Sequence, residues 1–499
     1  MRFAAVWLAL IVFAAVAPRE AAAADGMSLD ALLARVRSAT GQPYSVRVVS
    51  EAQLTQGGRA FAMHVESQGL RLLVRQCRAK VCFGEYFDGD RSFEVNMNGT
   101  ALPNALHADD LQRVVRAIAT CAFASPGFIA GGNVSETTPV ARDGKTYRRL
   151  AVRSGDALLY VLIDPTTFFA VEAMTPDGRT AFSYRDFRTF GNLTMPFEIW
   201  RDGELLERYD HRDAADGSIV APPGLAPAFE GRDAKIPMVH SAQPTALPIV
   251  ACSVGGVAVS CLLDTGNSGL SMSLELAEQL GLEPYGEYEI SGIGRYVTGV
   301  VSGGRLRVGN ASYPAAQYVV LHDLHQLGYD VVLGADVFAH TIVTLDYAAR
   351  TVVLRASTTP APEATTTIPL VFEQFVPTVP VRLGAFDAPL ALDTGDEAAI
   401  NVSSAFLADH PGLLVPLGHR QVAGIGGTAE QVVGEIADAR VATFDLPHVP
   451  IGETRAQEPA AGGHLGDGVL AHFIVTLDYA RGLLGLTPRP GDAAVRPEP

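Results

Sequence analysis

Residues 333–348 read LGADVFAHTIVTLDYA, and residues 465–480 read LGDGVLAHFIVTLDYA. Twelve of these sixteen aligned positions are identical, at a constant separation of 132 residues. Self-similarity at a fixed separation is the sequence signature of a repeated structural unit. The second half of the chain is therefore predicted to contain two copies of one fold.

Other landmarks recur in the same order in both copies. They are an Ile-Pro pair at 236–237 and 368–369, a Gly-Ile-Gly turn at 292–294 and 424–426, and an Asp-Thr-Gly triplet at 264–266 and 393–395. The first two landmarks keep the separation of 132, whereas the triplets are 129 residues apart. A short insertion or deletion between the copies explains the difference. The ordered landmarks predict an internal duplication.

Both copies are predicted to be β lobes. Residues 248–263, PIVACSVGGVAVSCLL, and residues 378–392, TVPVRLGAFDAPLAL, are rich in β-branched and aliphatic residues and run directly into the triplets. Such runs, interrupted by turn residues, are typical of strands. We therefore expect one lobe over 235–355 and a second over 368–490. The Pro- and Thr-rich segment 356–367 is expected to be an extended linker.

One carboxylate per copy has a chemical consequence. A pseudo-two-fold axis between the lobes would bring Asp264 and Asp393 face to face. Two carboxylates about 3 Å apart cannot both ionise, so they share one proton and titrate as a pair. Such a pair supplies a general base for water and a general acid for a carbonyl oxygen. This chemistry requires neither a metal nor a cofactor, and none is predicted.

The triplets resemble the active-site loops of pepsin-like and retropepsin-like aspartic proteases. The resemblance covers about 235–490 and is closest to bacterial retropepsin-like proteins with both lobes in one chain. It implies that Asp264 and Asp393 are catalytic. It further implies that Thr265 and Thr394 brace the two loops across the axis, and that glycines allow close approach to the dyad, namely Gly266 and Gly395.

Two further elements carry the same resemblance. Leu333-Gly334 and Leu465-Gly466 resemble the hydrophobic-Gly element that packs beneath the catalytic loop. The Gly-Ile-Gly turns resemble flap tips, which assigns to the flaps Gly292, Ile293, Gly294, Gly424, Ile425 and Gly426.

The second triplet departs from the family pattern, because Asp396-Glu397 follows it where Asn267-Ser268 follows the first. A third carboxylate beside the dyad would disfavour ionisation of the pair and extend activity toward neutral pH. Two other interpretations stay open at this stage. Asp396 could point to solvent, or it could mark a lobe that has lost activity.

The region 25–220 contains no recognisable catalytic motif. Repeated Asp-Gly turns between short apolar runs predict an antiparallel sheet, and the helical periodicity of 109–121 adds an α component. This composition weakly resembles periplasmic lipoprotein-carrier folds. The region could hold substrate, bind lipid or cover the cleft; we favour an accessory α+β binding domain. Residues 221–234 are the predicted linker to the lobes.

The first 24 residues are typical of a secretory signal peptide. Arg2 precedes an apolar run from Phe3 to Ala17, and small residues suited to cleavage follow at 22–24. We therefore expect an exported protein, periplasmic or secreted. In such a compartment Cys77 and Cys82 could pair across a hairpin, whereas Cys252 and Cys261 would be diagonal neighbours.

The formal net charge of −16 without a basic stripe argues against a nucleic-acid partner. His322 and His325 lack further ligands nearby, so no metal site is predicted. The leading hypothesis is a monomeric endopeptidase that acts on an extended peptide or protein substrate. The alternative is a catalytically inactive envelope protein that binds peptide or lipid, with lipid or lipoprotein contact through the first domain.

Overall fold

A computed structural model describes residues 26–56, 59–105, 109–239, 247–454, 462–491 and 496–497 of the 499-residue chain. The predicted signal peptide, residues 1–24, lies outside the described residues. The described chain is mainly β, which confirms that part of the predicted fold class. Its strands form four sheets.

The first region is built on a sheet of thirteen antiparallel strands. The chain fills one half of this sheet with β1 to β6 and the other with β7 to β13, and β1 pairs with β13 in the middle. The strands are β1 (Arg47–Gln56), β2 (Arg59–Gln68), β3 (Arg71–Arg78), β4 (Val81–Phe87), β5 (Ser92–Val95), β6 (Ala101–Pro103), β7 (Val134–Arg142), β8 (Lys145–Ser154), β9 (Ala157–Ile163), β10 (Ala170–Met174), β11 (Thr180–Phe190), β12 (Leu193–Arg201) and β13 (Glu204–Ala215).

Helices α1 (Leu29–Thr40), α2 (Asp109–Ala119) and α3 (Pro126–Ala130) accompany this sheet, together with short 3₁₀ turns at Pro43–Ser45 and Ala122–Ala124. The amphipathic helix expected at 109–121 is confirmed, since α2 packs its buried face on β8 and β9. Each buried aliphatic side chain in this layer contributes about 1.5–3 kcal/mol of hydrophobic stabilisation.

Lobe 1 contains an eight-stranded sheet and three short helices. Its first strand, Ala228–Phe229, falls within the predicted linker 221–234 and pairs with residues 311–312 of this lobe. The domain boundary at 221–234 stays a prediction. The elements are β14 (Ala228–Phe229), β15 (Asp233–Pro237), β16 (Ile249–Val254), β17 (Val257–Leu263), β18 (Leu270–Ser273), α4 (Leu274–Gln279), β19 (Tyr285–Ser291), β20 (Arg295–Val308), β21 (Ala311–Leu321), α5 (Leu324–Leu327), β22 (Val331–Leu333), α6 (Ala335–Phe338), β23 (Thr341–Asp346) and β24 (Thr351–Ala356).

The segment predicted to form lobe 2 contains a nine-stranded sheet. Its elements are β25 (Thr366–Pro369), β26 (Val371–Glu373), β27 (Val376–Leu383), β28 (Phe386–Leu392), β29 (Ile400–Ser403), α7 (Ser404–Asp409), β30 (Val415–Gly424), β31 (Gly427–Val441), β32 (Phe444–Thr454), β33 (Gly463–Leu465), α8 (Asp467–Leu470), β34 (Phe473–Asp478), β35 (Leu483–Pro488) and β36 (Arg496–Pro497).

The two lobes share a six-stranded sheet in the order β15-β24-β23-β34-β35-β25. Its central pair joins β23 of lobe 1 to β34 of lobe 2 in antiparallel register. Thr344 lies opposite Thr476, its counterpart 132 residues later, and their hydroxyl oxygens are 3.2 Å apart. Equivalent positions of the sequence repeat therefore face each other at the junction of the lobes.

The first region docks on lobe 1 through the turn 96–100 between β5 and β6. Asn96 Nδ2, Asn98 Nδ2 and Thr100 Oγ1 donate hydrogen bonds of 2.8, 2.7 and 2.5 Å to the carboxylate of Asp336. Asp336 is fully buried on α6, next to the loop that follows Asp264, and Asn96 Nδ2 also donates to the Ser268 carbonyl in that loop. The first region thus supplies the hydrogen-bond donors for the buried Asp336 carboxylate and for the Ser268 carbonyl of lobe 1.

Two disulfides join Cys77 to Cys82 and Cys252 to Cys261. The first links directly opposed residues of β3 and β4, and the second crosses the β16–β17 hairpin diagonally. Within the described ranges, no helix has the length and apolar character needed to span a membrane.

Candidate active site

Each Asp-Thr-Gly loop begins where a buried strand ends. β17 leads into Asp264 and runs parallel to β22, and the Asp264 amide donates to the Leu333 carbonyl at 3.0 Å. In lobe 2, β28 leads into Asp393 and runs parallel to β33, and the Asp393 amide donates to the Leu465 carbonyl at 2.9 Å. The two Leu-Gly elements therefore hold the loops from below.

Buried threonines tie the two loops together. The Thr265 amide donates to Thr394 Oγ1 at 3.1 Å, and the Thr394 amide donates to Thr265 Oγ1 at 3.0 Å. Each hydroxyl then donates to a carbonyl of the other lobe, at Leu392 and Leu263. Because every bond crosses between lobes, this reciprocal set fixes the spacing of the adjacent carboxyls.

The loop glycines lie against the opposing carboxyl groups. A Cβ atom on Gly266 would lie 2.8 Å from Asp393 Cγ, and one on Gly395 would lie 2.6 Å from Asp264 Cγ. Such distances exclude any side chain. The Gly266 and Gly395 amides donate to Oδ1 of Asp264 and Asp393 at 2.7 and 2.8 Å, so each carboxyl is oriented by its own loop.

Asp264 and Asp393 meet at the junction of the lobes and hydrogen-bond to each other. Burial, followed by the negative charge of Asp393, raises the pKa of Asp264 well above its ordinary value. Burial also raises the pKa of Asp393. A directly bonded carboxyl pair with raised pKa values holds one proton between its members.

Asp396 points into lobe 2 and has a partner that the sequence did not indicate. Its Oδ2 atom lies 2.6 Å from His464 Nε2 and accepts a 2.6 Å hydrogen bond from Asn401 Nδ2, while Oδ1 accepts from the Ala398 amide. Burial alone would raise the pKa of Asp396, but the hydrogen bond and charge of His464, together with hydrogen bonds from the Ala398 amide and Asn401, hold the pKa below its ordinary value. The adjacent Glu397 side chain is exposed.

A row of hydrogen-bonded polar side chains continues from this pair across lobe 2. Gln431 Nε2 donates to Asn401 Oδ1 at 2.6 Å, and Arg420 Nε donates to Gln431 Oε1 at 2.9 Å. We call Asp396, His464, Asn401, Gln431 and Arg420 the lobe-2 polar row. All five line the same cleft as the dyad.

The two Gly-Ile-Gly turns meet each other. The Gly294 amide donates to the Ile425 carbonyl at 3.2 Å, and the Gly426 amide donates to Asp323 Oδ2 at 3.0 Å. A Cβ atom on Gly294 would lie 2.1 Å from the Gly426 carbonyl oxygen, so the backbones touch. Ile293 and Ile425 line the cleft, and each lobe therefore contributes one flap to it.

The cleft has a volume of about 1740 Å³ and is lined by both lobes and by the first region. From the first region, β4, β5 and the docking turn that follows line the cleft with residues that include Phe83, Glu85, Glu94 and Met97. Burial raises the pKa of both glutamates to about 7. Holding substrate and covering the cleft were among the roles considered for the first region, but the residues that line the cleft were not identified from the sequence.

No group of three or more His, Cys, Asp or Glu side chains within the described ranges is placed to hold a metal ion.

Residues 250–337 match a family model described as Aspartyl protease. The matched span contains Asp264 and Leu333-Gly334 and ends before lobe 2. No curated protein matches the chain. The family match supports an aspartyl protease family and, with it, protease activity on peptide substrates.

Proposed function

We propose that the protein is an exported aspartic endopeptidase. It hydrolyses the peptide bonds of a substrate that is bound between the carboxyl groups of Asp264 and Asp393. The observation that carries the proposal is the hydrogen-bonded carboxyl pair at the junction of two similar lobes, with a flap from each lobe lining the same cleft. The two-flap arrangement favours a single-chain retropepsin-like enzyme. Both disulfides suit an oxidising compartment, periplasmic or secreted.

The reaction needs one proton on the pair. The ionised carboxylate takes a proton from a water molecule, and the oxygen of that water bonds to the scissile carbonyl carbon. The protonated carboxyl gives its proton to the carbonyl oxygen, which yields a neutral tetrahedral diol. The carboxyl that took the proton of water then donates it to the amide nitrogen, while the other carboxylate takes a proton from a diol hydroxyl. The C–N bond breaks, the C=O bond re-forms, and an amine and a carboxylic acid are released. The pair ends the cycle with one proton.

Digestion of a peptide library by the purified full-length protein at pH 3 to 8 tests this proposal. Asp264→Asn and Asp393→Asn should each abolish nearly all cleavage, because each carboxyl supplies half of one acid–base couple. Retained turnover in either variant would refute the dyad. Absence of cleavage by the parent, with peptide or lipid bound instead, would favour the inactive envelope protein.

A further inference from the structure

The dyad is built from equivalent residues, but its surroundings differ between the lobes. In lobe 1, Ser271 lies opposite Val332 on neighbouring strands; in lobe 2, Asn401 lies opposite His464 at the same positions. The loop residue that follows each triplet is neutral Asn267 in lobe 1 and charged Asp396 in lobe 2. A His–carboxylate pair therefore stands on one side of the dyad alone.

We propose that the His464–Asp396 pair makes the two carboxyls of the dyad unequal, so that the negative charge stays on Asp393 and the shared proton stays on Asp264. This inference rests on the proposed peptidase function and assigns separate roles within it. Asp393 takes the proton from water, and Asp264 donates its proton to the substrate carbonyl oxygen. His464 acts through Asp393 and is a positioning residue.

The geometry favours an imidazolium at His464. Its Nε2 atom lies 2.6 Å from Asp396 Oδ2, and the side chains are only 15% and 22% exposed. A carboxylate this close, in a partly buried setting, favours the charged form of histidine. The ion pair is a local dipole, so its effect on the dyad depends on which end lies nearer.

His464 lies beside the strand that leads into Asp393: it is paired with Ala391, and the next residue, Leu465, accepts the hydrogen bond of the Asp393 amide at 2.9 Å. After burial, the attraction of His464 is the largest influence on the pKa of Asp393, and it exceeds the repulsion from Asp396. Asp264 experiences the repulsion of Asp396, which further raises its pKa. The same ion pair therefore acts on the two carboxyls in opposite directions.

Other charged or titratable groups around the dyad come from every packed element. Among the described residues they include Glu397 in the Asp393 loop, Asp467 on α8, Glu453 on β32, Glu430 on β31, Arg420 on β30, Glu289 on β19, Arg295 on β20, Tyr329 and Tyr479. Burial raises the pKa values of Asp467 and both tyrosines. Arg420 reaches the pair only through Gln431 and Asn401.

A carboxyl titration followed by ¹³C NMR, on full-length protein with labelled aspartate side chains, tests the assignment. Asp264→Asn and Asp393→Asn identify the two resonances by their loss. We expect Asp393 to ionise first in the parent. In His464→Val, which installs the lobe-1 residue, the first ionisation should move up by about one pH unit. If the valine variant does not fold, His464→Gln replaces it, because glutamine keeps a hydrogen-bond donor for Asp396. Its first ionisation should also move to higher pH.

His448→Gln is the matched control, because His448 forms a 2.8 Å pair with Glu435 on the exposed surface of the same lobe. It should leave the titration unchanged. Ionisation of Asp264 before Asp393, or an unshifted first ionisation in both His464 variants, would overturn the proposal. The titration needs no substrate, so it decides the proposal even if the parent cleaves no peptide.

Activity provides a second readout. In His464→Gln the acid limb of kcat/KM against pH should move upward by about one unit, because the ionised form of the dyad loses its stabilising charge. An unchanged acid limb would contradict the directing role. Loss of activity at all pH values, with the NMR shift intact, would place the failure in the proposed function.

Discussion

At the scale of single residues, the site depends on glycines, which have no side chain, as much as on the side chains that form bonds. The glycine of each triplet leaves the space that the opposing carboxyl occupies. The threonine beside it uses both its amide and its hydroxyl to reach the other lobe. Two lobes are thereby held at the spacing that a shared proton requires.

Gly266→Ala and Gly395→Ala should separate the carboxyls by forcing the added methyl group against them. We expect kcat/KM to fall roughly 100-fold or more, since small displacements of reacting groups cost that much. Gly418→Ala is the control, because a Cβ atom there meets nothing within 4 Å. Near-parental kcat/KM in both loop variants would show that the loops can shift without penalty.

The raised pKa of Asp264 also predicts how stability depends on pH. Between the ordinary aspartate pKa of about 4 and the higher value in the fold, the folded state holds more protons than the unfolded state. Stability is therefore lost as pH rises through this window. Asp264→Asn should raise Tm at pH 7 and change it much less at pH 3, as measured by thermal unfolding. A lower Tm at pH 7 would contradict this sign.

At the scale of elements, the hairpins β19–β20 and β30–β31 end in the turns that touch each other. Gly292, Gly294 and Gly426 meet backbone atoms of the opposite turn, whereas Gly424 leaves room for the Ile293 side chain. The Gly426 amide also donates to the Asp323 carboxylate, so one side chain of lobe 1 holds the tip of the lobe-2 flap.

Gly294→Val should keep the tips apart, because its Cβ would lie 2.1 Å from the Gly426 carbonyl oxygen. We expect KM for peptide substrates to rise on the order of tenfold while Tm stays near the parental value, since closing segments contribute positioning. Val297→Ala, at an exposed position of β20, is the control. Unchanged KM in Gly294→Val would mean that tip contact is dispensable.

The sequence predicted those parts of the molecule that depend on local pattern. The strand that leads into each triplet and the flap turns could be located because each lies in one short segment. The ion pair of His464 with Asp396 and the bonds from Asn96 to Asp336 could not, because they join residues 68 and 240 positions apart. One signal was available for His464: it directly precedes Leu465-Gly466, at the position where Val332 precedes Leu333-Gly334.

At the scale of the whole molecule, the first region is joined to lobe 1 by buried polar contacts. The Asp336 carboxylate has three donors from the docking turn and is fully buried. A buried charge without its partners is strongly destabilising. The lobes therefore depend on the first region for stability as well as for one wall of the cleft.

A fragment comprising residues 222–499 should accordingly unfold at lower denaturant than the full chain. Asp336→Ala should stabilise the fragment, because it removes a buried carboxylate that has lost its donors. In the full chain the same substitution should destabilise by about 1–3 kcal/mol, because it leaves Asn96, Asn98 and Thr100 without their acceptor. Equilibrium unfolding of the full chain and of the fragment, each with and without Asp336→Ala, measures the change in the free energy of unfolding in both backgrounds. A change of the same sign in both would refute this account.

The shared six-stranded sheet has a consequence for chain continuity. In the part of the chain that the structure describes, lobe 1 supplies β15, β24 and β23, lobe 2 supplies β34, β35 and β25, and no strand of this sheet continues from one half into the other. Two polypeptides separated within 358–364 should therefore assemble into a heterodimer through the β23–β34 pair. Co-expression of residues 1–360 and 361–499 should restore activity by complementation. A cut in this segment by another peptidase would then leave the activity unchanged. The product would be a two-chain enzyme that sediments as one particle.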